Sequence, residues 1–214
     1  MSTEPPRLYL ISPPIPDAAA FAPKLEAALG AGDVACLLLR AAGRDSGENK
    51  KIVAALAPMA QARGVAVLVE GDTQLAIRAG ADGCHIEGAG EVLEAAVAAL
   101  QPDRIVGACA LASRDAAMEA GELGVDYVMF GGPDAAEAHE DVVERVAWWA
   151  EIFNVPCVAY AHELTDVREL AEARADFVAL GDAVFEDPRG AATALAEAAA
   201  ALAAYLAESR EKSK

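Results

Sequence analysis

The sequence predicts an α/β chain folded as a single (β/α)8 barrel of the TIM type, and three observations carry that expectation. Three stretches share one grammar: Ala79-Gly80-Ala81-Asp82-Gly83-Cys84-His85-Ile86, Leu123-Gly124-Val125-Asp126-Tyr127-Val128-Met129-Phe130-Gly131 and Ala173-Arg174-Ala175-Asp176-Phe177-Val178-Ala179-Leu180-Gly181. Each reads as the end of a helix, a tight turn and a buried strand. Strand-like runs and helical segments alternate eight times along the chain. The runs are near-continuously apolar, as strands covered on both faces are. An open doubly wound sheet more often stops at about five to seven strands, so eight repeats favour a closed ring.

The opening strand is expected at 7–12, ended by Pro13 and Pro14, and Asp17 is placed to cap a helix that runs to Leu29. A second strand follows at 34–40, then a helix at 46–62 with Gly64 as its stop. Strand 65–70, a short helix at 72–79, strand 83–87 and a helix at 91–100 come next. Strand 104–110 leads to a helix capped by Ser113, and strand 127–131 to a helix at 140–153. Strand 155–160 precedes a helix capped by Thr165. Strand 177–181 precedes a last helix from about 188 to 208, and residues 209–214 read as a charged tail. No linker divides the chain, so residues 7–208 are expected to form one domain.

The 214 residues include 34 acidic and 17 basic side chains, a formal charge of −17 spread over many helical segments. No basic stripe exists, which disfavours nucleic acid and anionic membranes as partners. Cys36, Cys84, Cys109 and Cys157 each lie inside an apolar strand-like run, without the paired spacing of a zinc site. They read as reduced core thiols of a cytoplasmic protein. The first residues lack the basic and apolar segments of a signal peptide. The apolar stretch 191–206 is rich in alanine and carries Glu197, so it reads as an amphipathic closing helix and not a membrane span. Trp148-Trp149 reads as helix packing or a dimer contact, which leaves room for a homodimer.

The order of several phrases resembles the thiamine phosphate synthase family, with its thiazole tautomerase relatives, from about Arg7 to Phe185. Leu8-Tyr9-Leu10-Ile11-Ser12 resembles that family's opening strand, and Leu38-Leu39-Arg40 its Gln-Leu-Arg strand. Leu75 to Ile86 is similar to its Leu-Ala…Gly-Ala-Asp-Gly-Val-His-Leu phrase, and Ile105-Val106-Gly107-Ala108-Cys109 to its Ile-Val-Gly-x-Ser strand. Gly124 to Gly131 and Val155-Pro156-Cys157-Val158-Ala159 match two later strands. The resemblance implies a barrel that joins hydroxymethylpyrimidine pyrophosphate to thiazole phosphate, with Mg2+ and basic groups stabilising the departing pyrophosphate. It implies small phosphorylated, pyrimidine or thiazole ligands.

Position by position, the resemblance is uneven. Arg40 matches the phosphate-facing arginine, but Leu38 and Ala42 stand where the family has glutamine and lysine. Glu70-Gly71-Asp72 replaces an Asn-Asp metal segment, and Glu87-Gly88-Ala89-Gly90 lacks the second metal carboxylate after its first residue. Cys109 replaces a serine, and Gly131-Gly132-Pro133-Asp134-Ala135-Ala136-Glu137 lacks the threonines and lysine of a pyrophosphate loop. Ala161-His162 and Gly181-Asp182-Ala183-Val184 replace two phosphate grips, and Gly132 stands where the tautomerases have a catalytic histidine. His139 and His162 are the nearby substitutes for that base.

The candidate site therefore comprises His162, Cys109 and Asp182 for catalysis, Arg40, His85, Gly131, Gly132 and Gly181 for substrate binding, and Glu70 with Asp72 for a metal. Arg40 could instead form an ion pair with Glu70 or Asp72, and His85 could be a satisfied core histidine. Glu70, Asp72, Glu87, Asp134, Glu163 and Asp182 make the expected mouth acidic against Arg40. The sequence thus points to a synthase of weak, altered or absent activity. The alternatives are a non-catalytic ligand-binding relative, a tautomerase-like isomerase, or another lyase or isomerase using His162 and Asp182.

Overall fold

A computed structural model describes residues 5–109, 111, 113–135 and 137–212. Its strands are β1 (Arg7–Ile11), β2 (Val34–Leu39), β3 (Ala66–Glu70), β4 (Gly83–Glu87), β5 (Ile105–Cys109), β6 (Tyr127–Phe130), β7 (Cys157–Ala161) and β8 (Phe177–Leu180). All pair in parallel and in sequence order, and β1 bonds to both β2 and β8, so the expected barrel is closed. The helices are α1 (Ala18–Leu29), α2 (Ser46–Gln61), α3 (Thr73–Ala79), α4 (Glu91–Leu100), α5 (Arg114–Glu122), α6 (His139–Ile152), α7 (Asp166–Glu172), α8 (Asp182–Phe185) and α9 (Ala191–Lys212).

Strand ends fall within about two residues of expectation. The expected end of β5 at Ala110 lies outside the described residues. β7 begins at Cys157 and not at Val155, because Pro156 has no N–H to give the ladder. Asp17 and Ser113 cap α1 and α5 through their side chains, as expected. Thr165 does not cap α7: its hydroxyl donates to Glu163, and Asp166 accepts the Glu163 N–H instead. The last βα unit departs most from expectation. A single turn, α8, precedes α9, and α9 continues through the expected tail to Lys212. Pro188 and Gly190, with φ of 95°, separate the two helices, and Arg168 grips Glu208 near the far end. By length and composition α9 is apolar enough to cross a membrane. It packs instead on α1, α7 and α8, burying Ala194, Leu195, Ala198 and Leu202.

Alternation along each strand divides the core in two. Tyr9, Ile11, Cys36, Leu38, Leu68, Tyr127, Met129, Val158, Tyr160 and Ala179 fill the lumen. The intervening residues, such as Leu8, Leu10, Leu37, Val67 and Val128, pack outward against the helices. Trp149 belongs to the outer layer, stacked on Phe153 with ring centroids 4.1 Å apart.

The repeated Asp motif explains the register. Asp82, Asp126 and Asp176 each stand just before an even-numbered strand, and each clamps the preceding odd strand by two bonds. Their backbone N–H groups donate to Val67, Val106 and Cys157 carbonyls at 2.7, 2.8 and 3.0 Å. Their carboxylates accept the N–H groups of the same three residues at 2.7, 2.8 and 2.8 Å. Gln61 and Gln101 brace the first two clamps by donating both to the aspartate and to the carbonyls of Gly80 and Gly124. The turn needs a left-handed residue two places before the aspartate. Gly80 and Gly124 supply it with φ of 74° and 81°, but in the third copy Arg174 is held there at 72°.

Two stability changes are expected in urea denaturation. Asp126→Ala removes the acceptor of a ladder N–H and should lower stability by about 2 kcal/mol. Arg174→Gly should raise it by roughly 0.5–1 kcal/mol, since relief of left-handed strain outweighs the added unfolded-state entropy.

Candidate functional site

The lumen-facing parity of each strand carries on to the C-terminal mouth. Cys36 and Leu38 are followed in phase by Arg40, Leu68 by Glu70, His85 by Glu87, Gly107 by Cys109, and Met129 by Gly131. Of these, Leu38, Glu70, His85, Glu87, Cys109, Met129 and Gly131 line a cavity of about 240 Å³. Ile11, Leu38, Met129 and His85 line it from the lumen, while Glu70, Glu87, Asp134 and Cys109 supply its upper polar groups. The cavity is thus apolar below and acidic above.

Arg40 stands just past the end of β2. Its backbone N–H donates to Ser12 Oγ at 2.9 Å, and Ser12 itself is buried at the end of β1. The guanidinium is only 13% exposed. Its Nε donates to Glu70 at 3.3 Å, and Nη2 pairs with Asp134 on the loop after β6. Of the two partners weighed from sequence, Glu70 is engaged and Asp72 is not. Gly131, with φ of 74°, starts this loop in a left-handed turn beside Tyr160 and Val142, and Gly132 follows it, buried. Glycine thus lets the loop bend back over the mouth and bring Asp134 to Arg40.

Asp72 is the N-cap of α3, accepting the Leu75 N–H at 2.8 Å. It does not join the cavity lining. Among the described residues no group of three His, Cys, Asp or Glu side chains could hold a metal. With Glu70 held by Arg40 and Asp72 committed to a cap, the residues present do not fit a resident magnesium ion.

His85 lies in the floor and is 3% exposed. Its Nδ1 is 2.6 Å from the Tyr127 hydroxyl, and burial pushes its pKa down to about 4. It is therefore a neutral imidazole at physiological pH. Cys109 is half-buried on the wall, and burial, then Glu87 and Glu70, push its thiol up to about 12. The thiolate needed for a nucleophile is suppressed there. His162 is exposed at the rim with its ring edge-on to Tyr160, centroids 4.9 Å apart. Asp182 is exposed at the start of α8, and Gly181 is buried, where a side chain would press on the Tyr160 hydroxyl at 3.0 Å. Burial and then Asp182 raise the Tyr160 phenol to about 12. The structure thus groups Glu70, His85, Cys109, Gly131 and Gly132 at one cavity, with Arg40 held beside it through Glu70 and Asp134. His162, Gly181 and Asp182 gather around Tyr160, outside that lining. His139, the other substitute base, is tied to Glu169 at 3.0 Å.

Sequence reading missed Tyr9, Tyr127 and Tyr160 in the lumen. The signal was the period-two parity, which places Tyr9 and Tyr127 inward, together with Gly107 opposite Tyr127. Asp134 was legible as an acid of the mouth, but not as the partner of Arg40.

Comparison with known proteins follows the same lines. A family model described as thiamine monophosphate synthase matches residues 8–184. A thiamine-phosphate synthase of Rhodospirillum centenum is 40% identical over 196 residues, covering 89% of this chain and 95% of its own. One from Hyphomonas neptunium is 39% identical over 199 residues, covering 88% and 90%. Among solved structures, a thiamine phosphate pyrophosphorylase from Pyrococcus furiosus superposes with a TM-score of 0.79 at 21% identity, covering 94% of this chain and 96% of that one. A 3-hexulose-6-phosphate synthase reaches 0.71 at 17% identity, covering 91% and 99%, and shares the fold.

The buried imidazole makes stability depend on pH. Above about pH 6.5 His85 is neutral in both folded and unfolded chains, and its environment exerts no pH dependence. As pH falls below that value the unfolded chain takes up a proton that the folded chain refuses until about pH 4. Stability should fall through that window by up to about 3 kcal/mol on this account. Urea titrations at stepped pH should show this slope, and His85→Phe should flatten it.

Proposed function

The chain belongs to the thiamine monophosphate synthase family, and from that premise we propose that its mouth binds a small pyrimidine- or thiazole-type ligand of thiamine biosynthesis while its synthase activity is weak or absent. The observation that carries this reading is the pairing of Arg40, the residue at the family's phosphate-facing position, with Glu70 and Asp134. A departing pyrophosphate needs cations and N–H donors aimed at its oxygens, and removal of one such donor costs about 3–4 kcal/mol of transition-state stabilisation. Here the cation at that position is already neutralised, and Glu70, Glu87 and Asp134 face the cavity. Each close like-charge pair opposes an anion by about 1 kcal/mol in water and about 4 kcal/mol near a protein surface. The apolar floor remains suited to a heteroaromatic ring.

A second reading, a working synthase, is favoured by the relatives above, which carry that name and align along nearly their whole length. One set of measurements separates the two. Incubation of the protein with hydroxymethylpyrimidine pyrophosphate, thiazole phosphate and Mg2+ should give little or no thiamine phosphate even at high enzyme concentration. Efficient turnover would decide for the second reading. Calorimetry should show that Asp134→Asn, which releases Arg40, tightens pyrophosphate binding at least tenfold, and that adding Arg40→Ala reverses the gain. Unchanged affinity in Asp134→Asn would remove the charge argument.

A further inference from the structure

Beneath the mouth the lumen holds a chain of polar side chains that the charge balance of the rim does not use. His85 Nδ1 lies 2.6 Å from the Tyr127 hydroxyl, and that hydroxyl lies 3.0 Å from the Tyr9 hydroxyl. Cys36 is buried in the same lumen cluster. The four residues come from β4, β6, β1 and β2, and all are buried. The barrel makes room for them at one position: a side chain on Gly107 would come within 2.0 Å of the Tyr127 ring and 2.4 Å of its hydroxyl. Glycine on β5 is thus what allows Tyr127 to cross the lumen and reach both neighbours.

A neutral imidazole carries one N–H, so this chain can be polarised in two ways. In the first, Tyr9 donates to Tyr127, and Tyr127 to His85 Nδ1, which leaves the ring proton on Nε2. In the second, every donor is reversed and the proton lies on Nδ1. The geometry distinguishes them. A contact of 2.6 Å is short for an N–H donor and ordinary for an O–H donor, which points to the phenol as the donating group. His85 Nε2 has no partner among the described residues, and His85 lines the mouth cavity.

We propose that Tyr127, backed by Tyr9, is a positioning residue that fixes His85 as the Nε2–H tautomer and presents that N–H to the mouth cavity. A ligand would then meet a donor at the floor and carboxylates at the rim. The matching ligand atom is an uncharged acceptor, such as a ring nitrogen or a carbonyl oxygen, and this last step rests on the binding reading above. The tautomer itself does not.

The test is nitrogen NMR of the intact chain labelled with 15N-histidine, at neutral pH and without ligand. The three histidines are assigned with His139→Gln and His162→Gln. The expected result is a single His85 tautomer protonated at Nε2. Tyr127→Phe, verified as folded by circular dichroism, should lose that preference and show both tautomers. Protonation at Nδ1 in the unaltered chain would overturn the proposal with no variant needed. A folded Tyr127→Phe that keeps the single Nε2–H tautomer would overturn it equally. Because no ligand is present, either failure leaves the binding reading of the mouth standing.

Discussion

Strand register is the constraint on which the rest of this molecule depends, and the aspartate clamps hold it. Each of Asp82, Asp126 and Asp176 ties the entry of an even strand to one residue of its odd neighbour through both its backbone and its carboxylate. A slip of one residue would turn every side chain of a strand to the opposite face. Tyr9, Tyr127 and His85 would leave the lumen, and Arg40, Glu70 and Cys109 would leave the mouth. The bottom of the barrel therefore decides the chemistry of its top.

That chemistry is dominated by where charge is compensated. Arg40 is nearly buried and has two carboxylate neighbours, so it acts as the centre of a rim ion cluster that ties β2 and β3 to the loop after β6. Exposed ion pairs are usually worth little. This one gains from the low exposure of the guanidinium and from Ser12, which fixes the Arg40 backbone. Below the cluster, burial holds His85 neutral and the Cys109 thiol protonated. The mouth thus offers one neutral hydrogen-bonding group, His85, in an otherwise apolar floor and negative charge at its rim.

The fold was legible in the sequence because its signals are local and repeated. Apolar runs of strand length, Asp17 and Ser113 before helices, and Gly80 and Gly124 at turns each carry their own physical reason. Where the reading slipped, a competing local interaction won. Asp166 displaced Thr165 as the group that organises the start of α7, and an additional turn, α8, precedes the expected last helix, set apart from it by Pro188 and Gly190. The site was legible as a set of strand-end residues but not as a network. Sequence places Asp134, Glu70 and Arg40 far apart, and only closure of the ring shows which acid answers which base. For the same reason Asp72 reads in sequence as an acid of the mouth, whereas in the fold its carboxylate accepts the Leu75 N–H as the cap of α3.

The clamps have a further consequence for how the ring assembles. Their bonded residues lie only 15, 20 and 19 positions apart, so each forms within one strand–helix–strand corner. Local closures of this size have a small entropic barrier, while the joint between β1 and β8 brings together the two ends of the chain. Three corners can therefore form early, and the seam between β1 and β8 closes late. Asp176 takes part in both events: its carboxylate holds Cys157 within the last corner, and its carbonyl accepts the Arg7 N–H across the seam. One residue thus couples a fast local step to the slow global one, and the barrel shuts with its final strand already in register.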